Sequence, residues 1–508
     1  MKRFAVLTAV YLALASFLGS QGCSDGGDSN DDGVLEPFWG VVLDSFSHEV
    51  PTDTQIAQMQ ELGVDYAKFW VFWTDTEPEL AAYNARLDEF GVAGDDQPTD
   101  LTRDLLTANP GWIEEYAFPG SDGSRFRDLI DWSRLDAQVD QLVAAGISPL
   151  PLIADAPSAP KIPDPDGPAT IAPEPLDFRG QSGAGDRFAG IGREAYLAHV
   201  KLYAAAAARR YSQSPRRVTW WNLENELNFA HLHVKIFGWR TGDAWLDDAF
   251  RTELLATLSR GIKLGSPNAR ATHNVNIHDP NWADDLARYA GDLDALGLGA
   301  YPNYLFPRPL LTALLINAVE TASALGEELG KPVFVLETGY PSGPASGGWD
   351  EELQAEYLST ASVDSMNAGA VGYIHFLLTD RDWDIPEGTL QQVEIHWGLV
   401  RVDGTYKPSF AAFRDVIAEY EVCQLHHDPV PETGANCSNG IDDDCDGLTD
   451  CEDAGDPDCN CGYSATANAE ASTYGKSSLT GSGAFNGLAL LLIPAGAVIF
   501  VRILRRKR

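Results

Sequence analysis

The feature that most limits what this chain folds into is a repeated alternation. Eight short runs rich in apolar, β-branched and aromatic residues are separated by longer stretches of helical character. The runs are 39–44, 66–73, 147–154, 217–224, 270–276, 294–301, 332–338 and 371–378. Between them lie helical patterns such as "DWSRLDAQVDQLVAAG", "EAYLAHVKLYAAAAARRY", "DAFRTELLATLSRGIKLG" and "EELQAEYLSTASVDSMNAG", several closed by a glycine just past the last turn. Strands that are apolar on both faces and alternate with helices belong to a parallel sheet covered by those helices. Eight such units favour an α/β fold of the closed (β/α)8 type over an open doubly wound sheet, and no glycine-rich dinucleotide fingerprint follows the first run.

In such a barrel the C-terminal ends of the strands form the active face. The fourth run ends in "WWNLENELNF" (220–229), which puts Asn225 and Glu226 just past the strand, and the seventh ends in "FVLETGYPS", which puts Glu337 at its end. Strands four and seven lie across the mouth from one another, so these carboxylates, 111 residues apart in sequence, converge in space. Two converging carboxyls match the needs of glycosidic bond hydrolysis. One, protonated, releases the leaving oxygen, and the other, ionised, attacks or stabilises the anomeric carbon. Three acidic and amide side chains in a row, Glu224, Asn225 and Glu226, cannot all point into the mouth of a regular strand.

These residues carry a resemblance. "WNLENELN" and "VFVLETGYPS" are similar to the acid/base and nucleophile strands of the large clan of retaining glycoside hydrolases on (β/α)8 barrels. The resemblance implies Glu226 as acid/base, Asn225 as the residue that binds the sugar 2-hydroxyl, and Glu337 as nucleophile. Tyr301, in "LGLGAYPNY", matches the tyrosine that hydrogen-bonds the nucleophile. "ETGYPS" and "AYPNY" resemble endoglycanases acting on β-glucans or β-galactans, and "WGLVRVDGTYKPSFAAFRDVI" is similar to the last loop and closing helix of that clan. The chain departs from the pattern near the end of strand two, where many members place an arginine and this sequence has Lys68, Trp70 and Trp73. It departs again at strand eight, where His375 and Phe376 stand where a tryptophan is common, with Trp383 following.

Trp70, Trp73, Trp220, Trp383 and Trp397 are candidate sugar-stacking platforms. His48, His231, His233, His273 and His278 lack metal-ligand spacing and read as hydrogen-bonding wall residues, with His273 on the substrate side. The chemistry implied needs no cofactor. A segment at 74–130, rich in Asp, Pro, Gly and aromatics, reads as a lid or subsite wall inserted after strand two.

The barrel is expected over 36–420, flanked by segments of different composition. Residues 1–23 have a basic start, an apolar run and a small-residue end, the pattern of a secretory signal, and 24–35 are a linker. "LGSQGC" resembles a lipobox, which makes Cys23 either a lipidated first residue or part of a plainly cleaved signal. The other six cysteines fall between Cys423 and Cys461, so 421–462 is a Cys- and Asp-rich segment whose thiols allow fifteen disulfide pairings. Within it "DDDCDGLTDCED" places Asp442, Asp444 and Asp446 at alternate positions before Gly447, with Asp450 and Asp453 at the ninth and twelfth places, a pattern that suits a structural Ca²⁺, the alternative being an acidic linker pinned by disulfides. Residues 463–484 form a second linker. The last segment, 485–508, is apolar and ends in a basic cluster, which reads as a membrane anchor; it also resembles bacterial C-terminal sorting tags, which implies removal by a processing protease.

The net charge of −38 argues against nucleic acid and anionic membrane surfaces as partners, and the resemblance implies a carbohydrate as the substrate. The expected location is outside the cytoplasm, at the cell envelope or surface. The alternatives are a non-catalytic carbohydrate-binding or scaffold protein on the same barrel, and a transglycosylase using the same carboxylates.

Overall fold

The computed structural model describes residues 35–43, 50–72, 110–118, 131–154, 193–229, 246–305, 307, 312–383, 385 and 390–420. The chain divides into two compact units, one made of Met1–Ala230 with Thr241–Ile417 and the other of His231–Arg240 with Ala418–Arg508. Nearly all described residues belong to the first.

That unit is a closed barrel of eight parallel strands in sequence order. They are β1 Phe38–Val42, β2 Tyr66–Phe72, β3 Ser148–Ala154, β4 Trp220–Asn225, β5 Arg270–Asn276, β6 Ala295–Ala300, β7 Val333–Thr338 and β8 Ala370–His375. β1 pairs with both β2 and β8, which closes the ring and removes both sheet edges. The (β/α)8 expectation therefore holds, and β5 falls on the expected 270–276. β4 starts three residues later than the apolar run 217–224 predicts, because Val218 N–H donates to the Tyr211 carbonyl of the preceding turn and Thr219 offers β5 only its carbonyl, to Arg270 N–H.

The barrel floor is aromatic. Phe38 packs on Tyr66 and Phe334 with ring centroids 4.7 and 4.9 Å apart, and Trp220 meets Phe334 edge-on at 4.8 Å. Burying rings of this size, at about 25 cal/mol per Å² of apolar surface, makes the floor a principal source of stability. It also plugs the barrel, so only the opposite end is open to a ligand. Trp220 is part of this floor and is no sugar platform, because its position at the start of β4 sets it at the wrong end of the strand.

The helices are fixed by local signals. Thr52 caps Asp53–Leu62 in a reciprocal capping box with Gln55, and Gly63 ends it in the left-handed conformation. Helix Arg193–Arg210 crosses Asp248–Gly265 at close range. A Cβ on Gly265 would lie 2.0 Å from the Ala205 carbonyl oxygen, so the Ala204–Ala208 run and this glycine together permit the contact.

Pro110–Ala117, within the 74–130 insertion, is helical and turns Ile113, Tyr116 and Ala117 inward. Glu114 pairs with Arg209 at 2.7 Å and Arg210 donates to the Ala117 carbonyl, so this piece packs on the outer helix Arg193–Arg210. A lid role fits it poorly, since its apolar face is already occupied. The insertion apart from 110–118, the 1–23 segment, residues 24–34 of the linker, and everything beyond Tyr420 lie outside the described residues. No helix among the described residues is long and apolar enough to cross a membrane.

Candidate active site

Both carboxylates reach the mouth through breaks in strand regularity. On β4, Trp220 packs into the floor and Asn222 donates to Asn274 Oδ1, so even-numbered residues face inward. Strict alternation would turn Asn225 outward. Instead Glu224 adopts φ 53° and Glu226 φ 48°, in the left-handed region that glutamate rarely visits, and the register with β5 shifts between Asn222 and Asn225. The phase change brings Asn225 inward, where its Oδ1 accepts from Asn274 Nδ2 at 2.6 Å, and leaves Glu226 at the inner rim as well. Backbone conformations of this kind cost of order 1–3 kcal/mol each and concentrate at functional sites.

β7 does the same by another route. Phe334 faces inward, yet Thr338 lies outside and bonds Tyr357 at 2.8 Å, an arrangement that alternation forbids. The register shift between Val335 and Thr338 absorbs the difference and lets Glu337 face the barrel axis.

Glu337 accepts two hydrogen bonds. Lys68 Nζ donates to Oε1 at 2.7 Å and the Tyr301 hydroxyl to Oε2 at 2.8 Å. Lys68 also donates to the Leu336 carbonyl at 3.3 Å and is fully buried. Burial pushes the Lys68 ammonium below the usual lysine range, and the negative charges of Glu337 and Glu226 pull it back. Tyr301 is held far above the usual phenol range by burial and by both glutamates, so its hydroxyl keeps the proton it donates.

Glu226 has different surroundings. Burial and the charge of Glu337 raise its carboxyl to about 8, against the opposing hydrogen bond from Asn276 and the charge of Lys68. Its Oε1 has no hydrogen-bond partner, and Gly299 faces it closely enough that a Cβ there would lie 2.6 Å away. One buried cation therefore faces two carboxylates. The second negative charge has no counter-ion, so Glu226 carries a proton at neutral pH.

The structure thus brings Glu226, Glu337, Asn225, Tyr301 and Lys68 together. Trp70 lies two residues beyond Lys68 on β2, on the same face and nearer the mouth, and is 5% exposed. Trp383 is half-buried after β8, with the Arg381 guanidinium 4.3 Å from its ring centroid. His273 is not part of the site. It sits on the opposite face of β5 from Asn274, with Nδ1 on the Leu223 carbonyl at 2.7 Å and its ring edge-on to Tyr289 of the outer layer. Burial lowers it to about 4, so it is neutral. The two-residue period of the strand decides this, and Asn274 and Asn276 take the inward places instead.

Asn274, Asn276, Glu394 and the loop 390–397 were not singled out from the sequence. Inward alternation from Asn225's neighbour strand would have found the first two. Trp73, His48, His231, His233 and the Asp442, Asp444, Asp446, Asp450 and Asp453 set lie outside the described residues. Among the described residues no cluster suits a metal ion.

No protein-family model and no curated protein matches this sequence. Solved structures do. The exo-β-1,4-mannosidase Op5Man5 from Opitutaceae bacterium strain TAV5 is similar over 78% of this chain, at 16% identity and a TM-score of 0.50. The chain spans 62% of that mannosidase's length. Fpglu1 from Fervidobacterium pennivoraus matches over 77% of this chain and 97% of its own, at 12% identity and a TM-score of 0.50. A GH5_18 protein from Streptomyces cattleya, solved with GlcNAc, covers 76% of this chain at 14% identity and a TM-score of 0.49. Likeness at this level of identity concerns the fold: a (β/α)8 barrel.

Proposed function

We propose that this protein is a retaining glycoside hydrolase acting on a β-linked oligo- or polysaccharide. The observation that carries the reading is the unequal state of two carboxyls at the ends of β4 and β7. Glu226 is raised to about 8 and Glu337 is held by Lys68 and Tyr301. An acid that holds its proton at neutral pH beside a carboxylate fixed by two donors is the division of labour that double displacement requires.

In the first step Glu226 gives its proton to the glycosidic oxygen while a Glu337 oxygen attacks the anomeric carbon. The bond to the leaving group breaks and a glycosyl ester forms. Glu226, now ionised, takes a proton from water, whose oxygen attacks the same carbon and releases Glu337. The sugar leaves with its original configuration and both groups return to their starting states. Asn225, fixed by Asn274, is placed to hold the 2-hydroxyl of the reacting ring. Buried donors of this kind need no reorganisation as charge develops. No cofactor enters these steps.

The solved barrels that resemble this chain include a mannosidase, and the carboxylate pair agrees with that chemistry without selecting the sugar. The reading extends to an exported, envelope-associated enzyme on the strength of the 1–23 and 485–508 segments.

The test is turnover of β-linked oligo- and polysaccharides by the full chain, beside Glu226→Gln and Glu337→Gln. Cleavage lost in both variants supports the reading. A folded wild type that binds glycans and cleaves none overturns it in favour of a binding protein.

A further inference from the structure

A third carboxylate stands at the same mouth. Glu394 lies in the short 3-10 helix Leu390–Ile395 after β8, and its negative charge acts on Glu226, Tyr301 and Tyr304 alike. It is partly open, with its side chain 29% exposed, whereas its partner Arg381 is 1% exposed. Arg381 donates to Glu394 Oε2 at 3.2 Å and to its carbonyl at 3.3 Å.

The support around this carboxylate is rigid. The Arg381 guanidinium lies 5.1 Å from the Phe376 ring centroid and 4.3 Å from that of Trp383. On the other side Tyr304 hydrogen-bonds Glu394 and stacks on Trp397 at 6.0 Å and 17°. Trp397 in turn meets Tyr301, the partner of Glu337, at 5.2 Å, and Phe376 at 6.0 Å. One aromatic cluster therefore fixes both the residue that holds Glu337 and the residue that holds Glu394.

A carboxylate offers about four acceptor positions. Arg381 and Tyr304 occupy two of them, Arg381 balances the charge, and the side chain keeps 29% of its surface open for further donors. Such a group suits neutral hydroxyls. An anionic sugar would meet the charges of Glu337 and Glu394, and a cationic one would find the charge of Glu394 already compensated by Arg381.

We infer that Glu394 is a substrate-binding residue that selects the sugar ring at the site by accepting hydrogen bonds from the hydroxyls of a neutral sugar. The inference rests on the glycosidase reading and deepens it.

The experiment uses the full chain and p-nitrophenyl β-glycosides of glucose, galactose, mannose, cellobiose, lactose, mannobiose and glucuronic acid. Glu394→Gln keeps the size and one acceptor, and Glu394→Asp keeps the charge but withdraws it. For both, kcat/KM on the favoured neutral sugar is expected to fall roughly ten- to hundredfold. The ranking among glucose, galactose and mannose should flatten, which a merely structural role would not produce.

Glu394→Gln should also move the alkaline limb of the pH profile to lower pH, since the charge of Glu394 helps keep Glu226 protonated. Unchanged ranking and rate in both variants, with Glu337→Gln inactive, would overturn this inference alone. A glucuronide preferred over the neutral glycosides would also overturn it. Absence of cleavage by the wild type across the whole panel overturns both readings.

Discussion

The ends of β4 and β7 carry the same side chain in opposite circumstances. Glu337 receives Lys68 on one oxygen and Tyr301 on the other. Glu226, also buried, has Asn276 as its hydrogen-bond donor and an Oε1 with no partner facing Gly299. Identical side chains are thus set in two electrostatic surroundings by a single buried ammonium that acts on both and is bonded to one. A carboxylate's function here is a property of its neighbours, and the neighbours come from β2, β5 and β6.

The largest expected effect comes from removing the better-supported partner. Glu337→Gln should lower kcat by about 10⁴-fold or more in steady-state assays, as loss of a nucleophile does. Glu226→Gln should cost about 10²–10⁴-fold on natural linkages. The two variants should separate on a dinitrophenyl glycoside, whose leaving group needs no proton. There the Glu226 variant should show a burst of released phenol and the Glu337 variant none. Equal behaviour of both variants on that substrate would erase the proposed division.

Lys68→Met attacks the source of the asymmetry. It leaves Glu337 buried without its cation, and stability should fall by about 3–5 kcal/mol in denaturant titration. It also removes the positive charge that opposes protonation of Glu226, so the alkaline limb of any residual activity should move upward.

The pH dependence sharpens the comparison further. With Glu226 at about 8, kcat/KM should fall tenfold per unit above that pH. The same shift affects stability. An unfolded glutamate titrates near about 4.3, so between there and about 8 the folded chain holds one more proton than the unfolded one. This contribution is fully present below the lower value and is lost as pH rises to the upper one. Glu226→Gln should abolish that slope, making the inactive variant the more heat-stable protein at pH 8 and equal to wild type near pH 4. A variant less stable than wild type at both pH values would show that the carboxyl is not held out of its ionised form.

The smallest effect is expected from Tyr301→Phe. It removes one of two donors to Glu337 and should lower kcat/KM roughly tenfold, with about 1 kcal/mol of stability. A loss equal to that of Glu337→Gln would mean that Lys68 does not hold the nucleophile by itself.

The barrel itself was legible because its signal is long and redundant. Eight apolar runs, each followed by a helical pattern, repeat the same instruction, and β5 and the helix Asp248–Gly265 fall on the stretches the pattern marks. Glu226 and Glu337 were legible through their strand ends and motifs. Lys68 was visible only as a residue standing where arginine is usual, with nothing in the sequence to join it to Glu337, which is 269 residues away. His273, in the middle of β5, was misplaced because a period of two fixes which residues share a face but not which face is inward; the contacts with β4 decide that.

What the sequence by itself determined is the order and type of elements, because hydrophobic period and helix-stop signals act locally. What only the tertiary structure decided is which way the strand ends turn and which groups share a proton. The left-handed residues Glu224 and Glu226 and the register shift in β7 set which side chains turn toward the barrel axis. The separation of the two carboxyls arises from burial beside one cation. Both depend on distances between strands far apart in the chain, and electrostatic energy in a low-dielectric interior is set by those distances.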